Sequence, residues 1–136
     1  MYNTSTCTGK YLHYKGKSYD VLGEARNTKT NEAYIVYRQN YGRKQWWIRP
    51  KDMFFETVLR DNQEHGRFEK IDDHVDIQAP KFDAFNVRHT ETGERYFVTH
   101  TKFYDQYYLR LENMYGEQLQ LELTPSENLA LAEDAP

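Results

Sequence analysis

The sequence carries one cysteine, Cys7, and only four prolines, and it has no long apolar run. A single thiol makes neither an internal disulfide nor a thiolate zinc cage, and this usage fits a reducing cytoplasm. Without a stretch of about 18 apolar residues no membrane-spanning helix is expected. Nor does a charged-then-apolar leader mark a signal peptide. The chemistry-bearing motifs are missing too. The five histidines (His13, His65, His74, His89 and His100) stand in no H-E-x-x-H or related metal spacing. There is no nucleophile elbow and no Gly-rich phosphate loop. Asp72-Asp73-His74 reads as a solvated cluster. No metal and no cofactor are therefore expected, and the expected protein is not an enzyme. His13 working with a nearby carboxylate is the one catalytic alternative.

Charge is unevenly withheld. Residues 33–51 contain no acid at all, yet hold Arg38, Arg43, Lys44, Arg49 and Lys51. Residues 1–70 carry 13 basic and 8 acidic side chains, a balance of +5, whereas residues 71–136 carry 5 and 13, a balance of −8. Such asymmetry points to an anionic partner for the first half, or to attraction between the halves within or between chains. A merely solvated surface is the plainer explanation.

What is present is aromatic and repetitive. Aromatics make up 15% of the 136 residues, and twelve of them are tyrosine, a residue suited to half-buried strands and binding surfaces. Residues 25–56 align with 87–117, given one residue of slack in a turn. Ten pairs are identical: Arg26/Arg88, Thr28/Thr90, Thr30/Thr92, Glu32/Glu94, Tyr34/Tyr96, Val36/Val98, Gln45/Gln106, Arg49/Arg110, Met53/Met114 and Glu56/Glu117. Chance would give about two. The reading is one small β unit made twice.

Strands are expected at 10–14, 18–26, 33–38, 46–49, 95–100, 107–111 and 118–123, with a possible bulge at Gly23. NTKTNE and HTETGE read as matching hairpin turns, because Asn31 and Gly93 accept a left-handed backbone. PKDMF and ENMY read as single helical turns, with Pro50 as a first helical residue. Residues 54–60 and 67–71 read as a hairpin around DNQEHG. The expected organisation is a disordered 1–8, a first unit at 9–71, an acidic linker at 72–79, a second unit at 80–124 and an acidic tail at 125–136, with one helical turn or nothing near 128–132.

The run GKYLHYKGKSYDVLGEARNTKTNEAYIVYRQNYG, followed by WWIRPKDMFFETV, resembles the bacterial family catalogued as domain of unknown function 1653. The likeness covers about residues 9–71. Lys29 stands where the family usually has Glu, whereas Glu91 of the second segment keeps it; the second segment also lacks the H-Y-K-G opening and has Leu111 in place of Pro50. The resemblance implies a small Src-homology-3-like β domain and no known activity. With the repeat, the expected fold is all-β, as two tandem Src-homology-3-like barrels packed on each other.

Candidate ligand residues follow from alternation. Trp46, Ile48 and Pro50 share a core face; Trp47 and Arg49 share the other, matched by Tyr108 and Arg110 in the second segment. Cations that meet phosphate beside rings that stack on bases suit single-stranded nucleic acid or a nucleotide. The expected site is Trp47 and Tyr37 for stacking, Arg38, Arg43 and Arg49 for phosphate, and His13 from the opening motif. A cation–π contact that only holds the sheet, worth about 0.5–1 kcal/mol, is the alternative. The second functional reading is a protein-interaction module that binds a peptide or self-associates. Arg26 and Arg88 are expected to pair with Glu32 and Glu94 across their hairpins.

Overall fold

The computed structural model describes residues 7–77, 86–103, 107–123 and 129–131. Within these, 76–77, 100–103, 107–109, 122–123 and 129–131 are described by backbone alone. In chain order the elements are β1 (Gly9–His13), β2 (Ser18–Asn27), β3 (Ala33–Gln39), β4 (Trp46–Pro50), α1 (Lys51–Phe54), β5 (Thr57–Arg60), β6 (Gln63–Gly66), β7 (Phe68–Asp72), β8 (Val75–Ile77), β9 (Asn86–His89), β10 (Arg95–Phe103), β11 (Tyr107–Glu112), β12 (Gln118–Leu123) and β13 (Leu129–Leu131). The all-β reading holds.

The barrel is not made twice. The main sheet runs β12-β11-β10-β9-β4-β3-β2-β1-β7, and β12 also pairs with β2. Seven strands, β2 to β4 and β9 to β12, therefore close one barrel drawn from both halves. Two joints replace the expected tandem barrels: β4 pairs with β9 in parallel, Trp46 to Val87 through Ile48 to His89, and β12 pairs with β2 at Leu119–Leu121 against Ala25–Asn27. The physical reason is size and edges. Units of about 60 residues are marginal alone, and closure leaves no unpaired barrel edge.

Strand β2 makes this possible by serving two neighbours on one side. Its first half pairs with β1 and its last residues pair with β12. The register against β3 shifts between Val21 and Gly23, so the expected bulge is present there. A bulge bends the strand and resets which side chains face inward. Val21 consequently joins one core while Leu22 and Ala25 join the other.

Those cores lie on opposite faces of β2–β3–β4. The barrel interior is filled by Leu22, Tyr34, Val36, Ile48, Val87, Leu111, Leu119 and Leu121, with Trp46 packed against them. The outer face carries an aromatic layer of Tyr11, Tyr37, Phe54 and Phe68 with Val21 and Ile35. Phe54 and Phe68 stack, centroids 4.2 Å apart. Tyr34, Ile35, Val36 and Tyr37 are all buried because β3 is covered on both sides.

The two expected hairpins have the same internal bonding. The Asn27 N–H donates to Glu32 O at 2.9 Å and the His89 N–H to Glu94 O at 2.8 Å. Asn27 Oδ1 accepts from the N–H groups of Lys29 and Thr30 at 2.8 and 3.0 Å. His89 Nδ1 accepts from those of Glu91 and Thr92 at 3.0 and 3.3 Å. An imidazole nitrogen thus takes the place of an amide oxygen. Asn31 and Gly93 hold the left-handed positions, at φ 63° and 75°. The expected Arg26–Glu32 pair is absent: Arg26 binds Glu24 at 2.9 Å, two residues back on its own strand, and Glu32 accepts from the Tyr34 hydroxyl. Among the described residues Arg88 makes no ion pair with Glu94 either; Glu94 accepts from Asn113 Nδ2 at 2.6 Å.

Other segments also depart from expectation. Cys7 and Thr8 are packed rather than disordered; Thr8 Oγ1 donates to Leu22 O at 3.1 Å. Burial pushes the Cys7 thiol up to about 11. Residues 1–6 lie outside the described residues. The 72–79 linker contains β8, which pairs in parallel with β13 of the tail, and Val75 enters the barrel core. The hairpin after α1 is β5–β6, turning at Asp61-Asn62 with both φ values positive, while β7 returns to β1. Pro50 is the N-cap of α1, so the helix begins at Lys51, one residue later than expected. ENMY forms no helix, because Asn113 Oδ1 accepts from the N–H groups of Tyr115 and Glu117 and turns the chain.

Candidate ligand interface

The expected site residues of the first half do not all share one face. Tyr37, Trp47, Arg49 and His13 gather around the aromatic layer. Tyr37 and Trp47 are register partners on β3 and β4. Arg49 Nε donates to the Tyr37 hydroxyl at 3.2 Å, and its guanidinium lies 5.8 Å from the Phe68 ring centre. His13 meets the same Phe68 ring edge-on, with centroids 4.9 Å apart. Residues 36 apart in sequence are thus joined through one phenylalanine, which alternation alone does not reveal.

Tyr37 does not present a ring for stacking. It is 2% exposed, since β1, β7 and α1 cover that face. Trp47 stands where this covering layer ends and is half-buried; its indole N–H donates to Gln39 Oε1 at 2.9 Å. Two rings flank the same layer: Tyr19 and Tyr41 share a hydroxyl–hydroxyl hydrogen bond of 2.6 Å, and Lys17 lies over the Tyr41 ring at 5.1 Å.

Arg38 belongs to the barrel side. Its Nη2 donates to Asp20 Oδ2 at 3.1 Å, and the guanidinium lies 5.7 Å from the Trp46 ring centre. The buried Asp20 also accepts from Lys10 at 2.9 Å and Asn40 at 2.8 Å. Arg38 is therefore a structural ion-pair partner. Arg43 lies at the barrel rim, lining a shallow cleft of about 300 Å³ with Gln45, Trp46, Asn86 and Arg95. Arg110, on β11 two strands beyond β9, is half-buried and its Nη2 lies 3.5 Å from Gln120 Oε1. The side chain of Tyr108 lies outside the described residues.

Alternation within the first half overlooks Arg88. In the parallel pairing of β4 with β9, Trp47 faces Arg88. The interior positions of β9 and β10 are Val87, Tyr96 and Val98, so Asn86, Arg88, Arg95 and Phe97 point outward. Phe97 is 52% exposed. Among the described residues, Arg43, Arg49, Arg88 and Arg95 make no ion pair with a carboxylate, and all the ion pairs lie within residues 10–73. The Nε of Arg88 and Nε2 of Gln45 are buried with no hydrogen-bond partner among the described residues. Of the ion pairs among the described residues, only the local Lys70–Asp73 contact of 3.0 Å, at the boundary itself, joins the two charge-biased halves.

His13 sits in the same positive field. Burial lowers its pKa, and the Arg67, Arg49 and Lys15 charges lower it further. Its Nδ1 accepts from the Lys15 N–H at 3.1 Å, which leaves Nε2 as the protonated nitrogen. Arg67 is itself ion-paired with Glu56. The described residues contain no cluster of three His, Cys, Asp or Glu able to hold a metal, and no helix among them is long and apolar enough to cross a membrane.

The chain is a closed β-barrel protein with an arginine-rich, partly aromatic outer face at the seam of its halves. It belongs to the family described as "Protein of unknown function (DUF1653)", which matches residues 9–70. It is similar to a solved DUF1653 protein from Bordetella bronchiseptica, with 35% identity over 47% of this chain and 85% of that one, at a TM-score of 0.43. No curated protein matches the chain.

Proposed function

We propose that this is a non-enzymatic binding protein that captures an anionic aromatic ligand, single-stranded nucleic acid or a nucleotide. Its face is the outer surface of β4 where it meets β9. The observation that carries this reading is Trp47 set between Arg49 and Arg88, neither cation neutralised by a carboxylate among the described residues. Cations neutralise phosphate, and stacking on a ring is worth roughly 1–3 kcal/mol per base. His13, with Arg67 and Lys15 near it, extends the positive field past Phe68.

Two further statements belong to the same reading. The matched hairpins at Asn27–Glu32 and His89–Glu94 support descent of both segments from one Src-homology-3-like unit by duplication. The single buried cysteine supports a cytoplasmic setting.

The test is a tryptophan-fluorescence titration of the full chain with oligothymidylate and with free nucleotides, at low and high salt. Quenching at low salt that weakens as salt rises is expected. No quenching at low salt removes the proposal. Binding of neither probe, together with salt-dependent self-association in light scattering, would favour a protein-interaction module instead.

A further inference from the structure

We infer that the cleft at the barrel rim between β4 and β9 is a phosphate-binding subsite built by both halves of the chain. It rests on the reading above, and it specifies where the ligand's charge is held. The cleft is lined by Arg43, Gln45, Trp46, Asn86 and Arg95, and measures about 300 Å³. That is room for a phosphate group with its ester substituent, and too open for an apolar guest.

The chemistry of the lining points one way. Arg43 comes from the loop before β4 and Arg95 from the start of β10, so the two cations are 52 positions apart in sequence and meet only through the β4–β9 joint. Neither makes an ion pair with a carboxylate among the described residues. Arg95 is aimed rather than loose: its Nη1 donates to Asn86 Oδ1 at 2.9 Å. Gln45, one residue before the paired Trp46 and beside Asn86, has a buried Nε2 with no acceptor among the described residues. Two arginines and two amide side chains line the cleft, and no carboxylate does. Planar guanidinium groups match phosphate oxygens in pairs.

The placement also explains how the second half joins the function. Asn86 and Arg88 alternate outward along β9, so the cleft and the Trp47–Arg88 pair lie on the same strip. Arg95 is the register neighbour of Arg88, which pairs with Trp47, so the stacking ring and the cleft are one strand apart.

The experiment uses the full chain and two 3′-labelled oligothymidylates, one 5′-phosphorylated and one with a free 5′-hydroxyl, read by fluorescence anisotropy. Arg43→Ala and Arg95→Ala are each expected to weaken binding about fivefold, a typical upper value for an exposed charge contact. Loss confined to the phosphorylated strand assigns the cleft to a terminal phosphate; equal loss for both assigns it to the backbone diester. In the unaltered protein, inorganic phosphate is expected to shift the Gln45 side-chain amide signals in an NMR titration, where chloride at equal ionic strength does not. Unchanged affinity in both arginine variants with unmoved Gln45 signals overturns the subsite. Trp47→Ala separates the two claims: if it weakens binding while the arginine variants do not, the interface stands and the subsite falls.

Discussion

Trp47 and Arg88 stand opposite each other across the parallel pairing of β4 and β9, at the joint where the two halves of the chain meet. Neither half alone brings Arg88 beside that indole. Arg49, two residues along β4, supplies the second cation on the same face. Arg88→Ala and Arg49→Ala should each weaken oligonucleotide binding about fivefold and lower the slope of log affinity against log salt by about one. Trp47→Ala should cost about tenfold with the slope unchanged. Affinity measured across a salt series checks both, and a Trp47 variant that alters only the slope would contradict the stacking role.

Glu91 is the acid that weakens this positive field. It sits at the tip of the β9–β10 hairpin and adds a negative charge felt at Tyr37, whose hydroxyl holds Arg49. Glu91→Lys, which copies Lys29 of the first hairpin, should raise oligonucleotide affinity a few-fold at low salt. The gain should vanish above the ionic strength at which the Debye length falls to about 3 Å.

His89 makes one hairpin acid-sensitive. Its Nδ1 must be unprotonated to accept from the Glu91 and Thr92 amides. Burial lowers its pKa below 6.5, although Glu91 and Glu94 oppose that. A histidine whose folded pKa is depressed binds its proton first in the unfolded chain. Stability at neutral pH should therefore fall as pH drops through 6.5, until the folded state protonates as well. His89→Asn copies Asn27 and should retain neutral stability while flattening this dependence, as measured by urea unfolding at pH 7.5 and 5.5. His13, lowered by burial and by Arg67, Arg49 and Lys15, adds to the slope in the same direction, so the double variant His89→Asn/His13→Gln should be flatter still.

Asp20 holds the barrel rim by accepting from Lys10, Arg38 and Asn40. Asp20→Ala leaves the largely buried Arg38 without its anion and should destabilise the protein by roughly 3 kcal/mol. Because Arg38 points into this network and not onto the ligand face, binding per folded molecule should stay within about twofold. Denaturant unfolding and anisotropy together check the split.

Closure should make the barrel one cooperative unit. Leu121 on β12 is fully buried and pairs with Ala25 of the first half. Leu121→Ala should cost roughly 2–5 kcal/mol. The loss should appear equally in the fluorescence of Trp46 and Trp47 and at amide signals of β10, in one transition. Two separated transitions would mean the halves unfold independently.

Much was legible in the residues. Alternation and turn chemistry place β2, β3, β4, β11 and β12 to within a residue. Asn31 and Gly93 marked left-handed positions, and Gly23 marked the bulge. The pairing of Trp47 with Arg49 on one face also followed from period two. Tyr37 departs from expectation because alternation tells which residues share a face, not whether that face is covered. A strand covered on both sides, as β3 is, buries every position.

The sequence by itself determined an all-β chain with two matching hairpins, an acid-free aromatic and basic segment, and a first half belonging to its family, because local turn preferences and side-chain period are properties of neighbouring residues. Only the tertiary structure decided that one barrel closes through both halves, that β8 and β13 pair, and that Arg88 and Arg95 join Trp47 and Arg43 on one strip. Those outcomes depend on which distant strand edges meet, and hydrogen-bonding edges carry no residue-specific label that a linear reading can match.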